Sequence, residues 1–497
     1  MPSMSDSAPA SSPQPREVDN RKLLMMDHSL VESSRGVTFS LNPAHQPQER
    51  LLPQDRPWER VRAGAYVSMA EYGGQYHMWY TAYPGGADPQ SEETGPRFEC
   101  YAVSSDGIRW EKPELGLIEY NGSKANNIVR VYSIGSVFVD PFDAPSRRFK
   151  SIHYQAPRQY DGWPATRKVK GGNIYLGYSP DGIRWNIEPE PVLPFYTGAP
   201  TSTVWDEALG KWILYLRVNP KGHANDPWKT HMAFARLEID RDALAKPYPF
   251  TSNPAKKRNQ FDSYAAPTNE FPPVFATDDL DPDHQVYTLN AFRYPESDYY
   301  IAFPNMWYPN TSDCDDVQFA CSRDGIRWER PSRQPVIRLG LPGSGSQGYV
   351  TSAEGGLIRR GDELWLYYTG LPQRHLSPNV NRESVNARVI FRVDGFVSAD
   401  ADHLGGELTT VPLIVRGRFL ELNVDASAGG AVQAELRDAA GQPLRGFTLE
   451  DCDRLRGNST RLRVSWGGSP DLRRLAGSPV RLRIAMRSAR FYSFRFV

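Results

Sequence analysis

Five aromatic-rich apolar runs, each entered by a turn, recur along the chain. They are Gly74-Gln75-Tyr76-His77-Met78-Trp79-Tyr80, Arg148-Phe149-Lys150-Ser151-Ile152-His153-Tyr154, Gly210-Lys211-Trp212-Ile213-Leu214-Tyr215, Asp298-Tyr299-Tyr300-Ile301-Ala302-Phe303 and Asp362-Glu363-Leu364-Trp365-Leu366-Tyr367-Tyr368. An Asp follows each run at a similar distance. In three copies that Asp opens an identical pentapeptide: Asp106-Gly107-Ile108-Arg109-Trp110, Asp181-Gly182-Ile183-Arg184-Trp185 and Asp324-Gly325-Ile326-Arg327-Trp328. The second spacing is nearly twice the first, which leaves room for a degenerate copy. Met232-Ala233-Phe234-Ala235 ahead of Asp240 fills that place, and Val389-Ile390-Phe391 with Asp394-Gly395-Phe396 makes a fifth. A further strand-like stretch precedes each run, at 65–70, 136–139, 201–205, 285–291 and 349–358.

Each unit therefore reads strand, turn, strand, loop, strand, Asp-Gly turn, strand. Asp-Gly is a turn signal because Gly accepts positive φ and Asp accepts a backbone N–H. Five such units predict an all-β protein built on a five-bladed β-propeller; a five-unit solenoid is the alternative. After Phe396 the texture changes. Runs such as Leu420-Glu421-Leu422-Asn423-Val424 and Val480-Arg481-Leu482-Arg483-Ile484 alternate with period two, which predicts a C-terminal β-sandwich. The expected division is a disordered tail over 1–20, a propeller over 21–396 and a sandwich over 397–497. The strand around Met25-Met26-Asp27-His28 is expected to close the ring beside the fifth unit, which lacks an outer strand of its own.

Composition agrees with this plan. Aromatics are 12% of the 497 residues, with 40 Gly and 42 Pro. Lys plus Arg and Asp plus Glu are 58 each, a balance that argues against a nucleic-acid partner. No stretch has the apolar length of a membrane span. The stretch from Met1 to Gln14 carries no apolar core of a secretory signal, and Cys100, Cys314, Cys321 and Cys452 have no metal-ligand spacing. A cytoplasmic protein with reduced thiols is expected. No cofactor is called for; a structural calcium in the central channel is the one metal the plan would accommodate.

Propeller topology sorts the polar residues. Asp140, Asp206 and the three repeated Asp-Gly residues fall in turns on one face and read as structural. The other face, with the long loops, is where ligands bind. It collects Glu59, Tyr83 and Asp88 from the first unit, and His153, Gln155 and Asp161 from the second. Arg217, Asn219, His223, Asp226 and His231 come from the third. The fourth supplies Asp283, His284, Trp307, Asp315 and Asp316, and the fifth Glu354, Arg374 and His375.

The segment Tyr72 to Tyr80 resembles the equivalent stretch of glycoside hydrolase family 32. The whole plan, five blades then a β-sandwich, also resembles families 32, 43 and 68. Trp110-Glu111-Lys112-Pro113-Glu114-Leu115-Gly116-Leu117, Asn121-Gly122-Ser123-Lys124 and Asp394-Gly395-Phe396-Val397-Ser398 are similar to a bacterial group labelled family-32-like. The resemblance spans about residues 20 to 497 and implies a carbohydrate substrate. The sequence departs from family 32 at the chemistry. Where the family has its nucleophile motif, this chain has Val61-Arg62-Ala63-Gly64-Ala65-Tyr66, without a carboxylate. Asp140-Pro141 lacks the preceding Arg, and Glu99-Cys100 stands in the wrong unit.

Glycoside cleavage needs two carboxyls, roughly 5 Å apart for retention and about 6.5–9.5 Å for inversion. Asp283, next to His284 at the start of an inner strand, is the expected first partner, with Glu59 and Glu354 as candidates for the second. Tyr83 and Trp307 are placed to stack on a sugar; His153, Arg217, His284 and His375 are placed to bind its hydroxyls. Two other readings stand beside a glycoside hydrolase or transglycosidase. One is a non-catalytic glycan-binding propeller. The other is a sialidase-like enzyme, for which Ser104-Ser105-Asp106-Gly107 and Trp110 resemble an Asp-box turn.

Overall fold

The computed structural model describes residues 14–47, 49–85, 97–131, 133–155, 173–194, 197, 199–218, 232–249, 271–281, 283–376 and 383–497. Among them the regular elements are strands and short 3-10 turns, so the protein is all-β. The chain divides into two compact units. The larger holds 43–294 and 299–391; the smaller holds the described residues up to Asn42, together with 295–298 and 392–497.

In the larger unit, four-stranded antiparallel meanders follow one another. The first runs Arg62–Tyr72, Gln75–Tyr83, Phe98–Ser104 and Ile128–Val131. The second runs Ser133–Val139, Phe149–Gln155, Asn173–Ser179 and Asn186–Ile187. The third runs Ser202–Asp206, Lys211–Val218, Ala233–Asp240 and Pro273–Phe275. In the fourth, Gln285–Arg293 pairs with Tyr300–Trp307, against which lie two short strands, Asp315–Val317 and Ala320–Ser322. The fifth has Tyr349–Arg360, Glu363–Leu371 and Val385–Arg392. The aromatic runs of the sequence are the second strands, and their large side chains fill the space between sheets. Trp79, Tyr80, Tyr215, Tyr300 and Tyr367 are all buried.

The first strand of each sheet packs beside the first strand of the next, and the fifth returns to the first. Small polar side chains bridge these inner strands. Ser68 Oγ accepts from Val137 N at 3.1 Å, and Ser136 Oγ donates to the Thr201 carbonyl. Ser202 Oγ accepts from Ala291 N at 2.9 Å, and Asn290 donates to the Ala353 carbonyl. Glu354 then lies in parallel register with Ser68. Inner strands splay too far apart for a continuous ladder, so short hydroxyls and amides supply the missing partners that buried backbone requires.

A second set of links uses the repeated turns. In each Asp-Gly turn the Asp carboxylate accepts two backbone N–H groups, as Asp106 does from Ile108 and Arg109 at 2.8 Å each. Ser104 Oγ accepts from Gly107 N at 2.9 Å. The glycine carbonyl then accepts from an aromatic side chain of a neighbouring sheet. Tyr367 Oη donates to Gly107 O at 2.7 Å, Trp79 Nε1 to Gly182 O at 2.7 Å and Tyr215 Oη to Gly325 O at 2.9 Å. These three glycines have positive φ, and a Cβ on any of them would lie 2.5 Å from that aromatic. The repeat is therefore structural. Asp140 and Asp206 also serve turns, accepting from Phe142 N and Leu209 N.

The smaller unit corrects the expected boundary. Two six-stranded sheets share one core. Val31–Arg35 pairs with Gly406–Thr410, Thr38–Leu41 with Val397–Ala401, and Leu23–Leu24 with Ala489–Phe496. The segment from Leu23 to Leu41, expected in the propeller, thus belongs here because Leu23, Met25 and Leu30 enter this core. Asp27 does not close the ring. That place is taken by the next segment: His45 pairs with Ile390, and Leu51 N donates to Asn386 O at 2.8 Å.

Two outcomes test these links. Gly210 has φ +64 with open space around a Cβ, whereas Gly182 faces Trp79. Gly210→Ala should cost about 1–2 kcal/mol from its backbone alone, and Gly182→Ala roughly 1–3 kcal/mol more, read from urea midpoints. Equal costs would remove the Trp79 contact from the account. Glu354 is buried in the inner ring, and burial lifts its carboxyl to about 8, with the Ser202 hydroxyl pulling it back. A raised acid contributes stability that is fully present below its ordinary value of 4.5 and is lost as pH rises through about 8. Glu354→Gln should flatten the fall in urea midpoint between these two pH values; an unchanged slope would show that Glu354 is not its source.

Candidate active site

Antiparallel pairing brings the start of each inner strand beside the end of its second strand. Arg62 faces Tyr83, Gln285 faces Trp307 and Tyr349 faces Leu371. Asp315 is in register with both Trp307 and Tyr349, so it joins the fourth sheet to the fifth at this end. It is fully buried. His375 Nδ1 lies 2.9 and 3.1 Å from its two carboxylate oxygens. Burial lifts the Asp315 carboxyl to about 6, while His375 and Arg62 pull it down and Asp313 pushes it up.

Neighbours hold His375 on several sides. Its ring lies 4.6 Å from that of Trp307, nearly parallel, and 4.3 Å from Tyr287, edge to face. Its backbone N–H donates to Asp313 O at 2.8 Å. Asp313 also accepts from Trp307 Nε1 at 3.0 Å and from Leu376 N at 2.9 Å. Asp313 has φ +54, a conformation Asp tolerates better than most residues. The dyad is also exposed unequally: the Asp315 side chain is 0% accessible and that of His375 14%. Only His375 can meet a ligand directly.

Tyr66 completes this side. The first inner strand shifts register on either side of Ala65, and Gly64 and Tyr66 both have positive φ. A left-handed tyrosine costs of order 1–3 kcal/mol and persists only where its surroundings impose it. Its hydroxyl meets that of Tyr287 at 3.1 Å.

Because side chains alternate along a strand, Asp316 points away from Asp315 into a second environment. Tyr308 Oη donates to Asp316 Oδ2 at 2.9 Å, and burial pushes this carboxyl up to about 7. The Tyr308 ring lies 4.1 Å from that of His284. Asp316 Oδ1, Asp283 Oδ2 and His284 Nδ1 are buried without a hydrogen-bond partner. Such groups cost about 1–3 kcal/mol each and call for an explanation.

Several expected site residues have other duties. Glu59 is fully buried in the 3-10 turn Pro57–Glu59. It accepts from Asp55 N, Arg56 N, Tyr80 Oη and Lys112 Nζ at 3.0, 3.1, 2.6 and 2.8 Å. Four donors use up its lone pairs, so it is an anchor rather than a catalytic carboxyl. Glu354 lies five residues along its strand from Tyr349, or roughly 16 Å deeper. That exceeds the reach of a carboxyl pair with Asp315. His153 is buried within the second sheet, and burial, helped by Arg130, drives its ring down to about 3. It is a neutral interior group. Arg217 donates to the carbonyls of Thr197 at 3.1 Å and Tyr287 at 3.0 Å and supports the Tyr287 ring. Tyr83 is buried with the Arg62 and Arg97 guanidiniums 5.4 and 5.1 Å from its ring centre. Arg374 is exposed. Asp88, Asp161, Asn219, His223, Asp226, His231 and the side chain of Gln155 lie outside the described residues.

No family model matches the chain, and no curated protein matches it. Solved structures similar to it include one titled "Glycoside hydrolase", at 14% identity and TM-score 0.45, covering 70% of this chain and 92% of that one. A second is an N-acetylgalactosamine deacetylase from F. plautii in complex with blood group B trisaccharide, at 12% and 0.43, covering 71% and 95%. A third is the Bombyx mori GH32 beta-fructofuranosidase BmSUC1, at 11% and 0.37, covering 92% and 95%.

Proposed function

We propose that the larger unit is a five-bladed β-propeller, the smaller a β-sandwich, and the protein a glycoside hydrolase or transglycosidase. The closed cycle of inner strands supports the propeller, and two sheets around one core support the sandwich. The observation that carries the activity is the Asp315–His375 dyad, buried on one side, edged by Trp307, Tyr287 and Tyr349 and exposed only through His375. Ionised Asp315 accepts from His375 Nδ1 and holds the ring in one orientation. His375 then donates a proton to the leaving oxygen as the glycosidic bond breaks. The role of second carboxyl, taking a proton from the attacking water, is assigned to Asp283, two residues ahead of Gln285, which faces Trp307. Of these rings Tyr287 is partly exposed, whereas Trp307, expected to stack on a sugar, is buried with Tyr349 and packs against His375 instead.

Asp315 must be ionised for this role, and its carboxyl sits at about 6. Activity on a panel of aryl furanosides and pyranosides should therefore fall as pH drops through about 6. Asp315→Asn should lower kcat by roughly 10²–10⁴-fold and erase that acid limb. Full turnover by the variant, with the limb intact, would discard the dyad. A panel that gives no turnover, with sugars still raising the melting temperature, would favour a glycan-binding propeller.

A further inference from the structure

Tyr66 and Tyr287 belong to inner strands that are not neighbours. The first and fourth are separated by the fifth on one side and by the second and third on the other. A contact between their hydroxyls at 3.1 Å therefore crosses the opening of the ring. Ser68 and Glu354 are paired farther along the inner strands, below this bridge. The chain is bent locally to make it. Register shifts flank Ala65, Tyr66 stands at φ +54, and the preceding Gly64 has φ +96. A Cβ at Gly64 would lie 2.2 Å from Asn386 Oδ1, so another residue there would displace the Asn386 side chain and strain the backbone. Tyr287 is also the ring against which His375 packs. The bridge thus lies directly beside the dyad.

We propose that the Tyr66–Tyr287 pair is the floor of the sugar pocket and that Tyr66 contacts the ligand, hydrogen-bonding one of its hydroxyls. The inference rests on the reading of this end as a carbohydrate site. A phenol offers one donor and accepts as well. When Tyr287 donates to Tyr66, the Tyr66 O–H can point to a ligand oxygen. When Tyr66 donates, its oxygen can accept from a sugar O–H. Either arrangement makes the pair a neutral hydroxyl reader, and burial keeps Tyr66 protonated far above neutral pH. A floor at this level ends the pocket above Glu354, which fits a terminal sugar and excludes a chain threaded down the channel.

The test uses Tyr66→Phe, Tyr287→Phe and the double variant of the full-length protein. KM and kcat are measured on the same 4-nitrophenyl furanoside and pyranoside panel. Melting temperatures are measured without sugar and with free fructose, arabinose, galactose or glucose at about 100 mM. The expected result is a rise in KM of about 3- to 10-fold in each single variant, with kcat little changed. The double variant should be no worse than either single one, because the two hydroxyls act as a unit. Lower melting temperatures with unchanged KM and unchanged sugar response would overturn the proposal and leave the pair as a brace across the ring. Should the wild type turn nothing over while a sugar raises its melting temperature, loss of that rise in both Phe variants would uphold the floor and reject the hydrolase. A wild type indifferent to the whole panel and to all four sugars would overturn both.

Discussion

An aromatic O–H or N–H from one sheet, donated to a glycine carbonyl in the turn of a neighbouring sheet, is the interaction on which the larger unit depends. It occurs at Gly107, Gly182 and Gly325 with partners Tyr367, Trp79 and Tyr215. The glycine is needed twice, for its positive φ and for the absence of a Cβ that would strike the donating side chain, its hydroxyl at Tyr367 and Tyr215 and its ring at Trp79. The preceding Asp and Ser are needed to hold the turn in that shape. One inter-sheet contact thus accounts for the composition of a repeated pentapeptide and for the aromatic character of the second strands. Ser68, Ser136, Ser202 and Asn290 bind the ring at its inner edge in a complementary way, where backbones diverge and only a short polar side chain spans the gap.

These links also determine where chemistry can be placed. The Asp-Gly turns lie where second strands begin, since Tyr76 faces Ser104. The dyad lies where second strands end, since Trp307 faces Asp315. One end is committed to holding sheets together, which leaves the other free to present polar groups. There, burial does the electrostatic work. Asp315 and Asp316 are consecutive on one short strand and face different surroundings, yet loss of water lifts both carboxyls towards neutrality, to about 6 and about 7.

Much of this is legible in the sequence, and the gaps have physical causes. Repeated turns and aromatic runs carry local signals, so the five units and the turn duties of Asp106, Asp181 and Asp324 can be read directly. The sequence also places Trp307, Asp315 and His375 at one end, where the structure brings these three into contact. The boundary cannot be read this way, because Leu23 to Leu41 is an ordinary strand-like stretch whose partners, Val397–Ala401 and Ala489–Phe496, lie near the far end of the chain. Glu59 misleads for the same reason. Lys112 and Tyr80, which satisfy it, are remote in sequence, and a carboxylate ahead of a strand gives no sign of being spent. Tyr66 escapes notice because a bulge changes which residue faces inward, and alternation alone does not place a bulge. Gly64 is the only local hint.

The departures from the repeat coincide with the proposed site. In the fourth sheet the third strand is broken into Asp315–Val317 and Ala320–Ser322, where the first three sheets have one strand of seven or eight residues. At the start of this broken strand Asp315 stays in register with Trp307 of its own sheet and is also in register with Tyr349 of the next. The first inner strand departs at Gly64 to Tyr66, and the fourth shifts register between Val286 and Thr288, beside Tyr287. Irregularities in the first and fourth sheets thus converge on one set of side chains. The regular turns that link the sheets at the opposite end are untouched by them. Local rules fail here together, as expected where a fold has been bent to present a site.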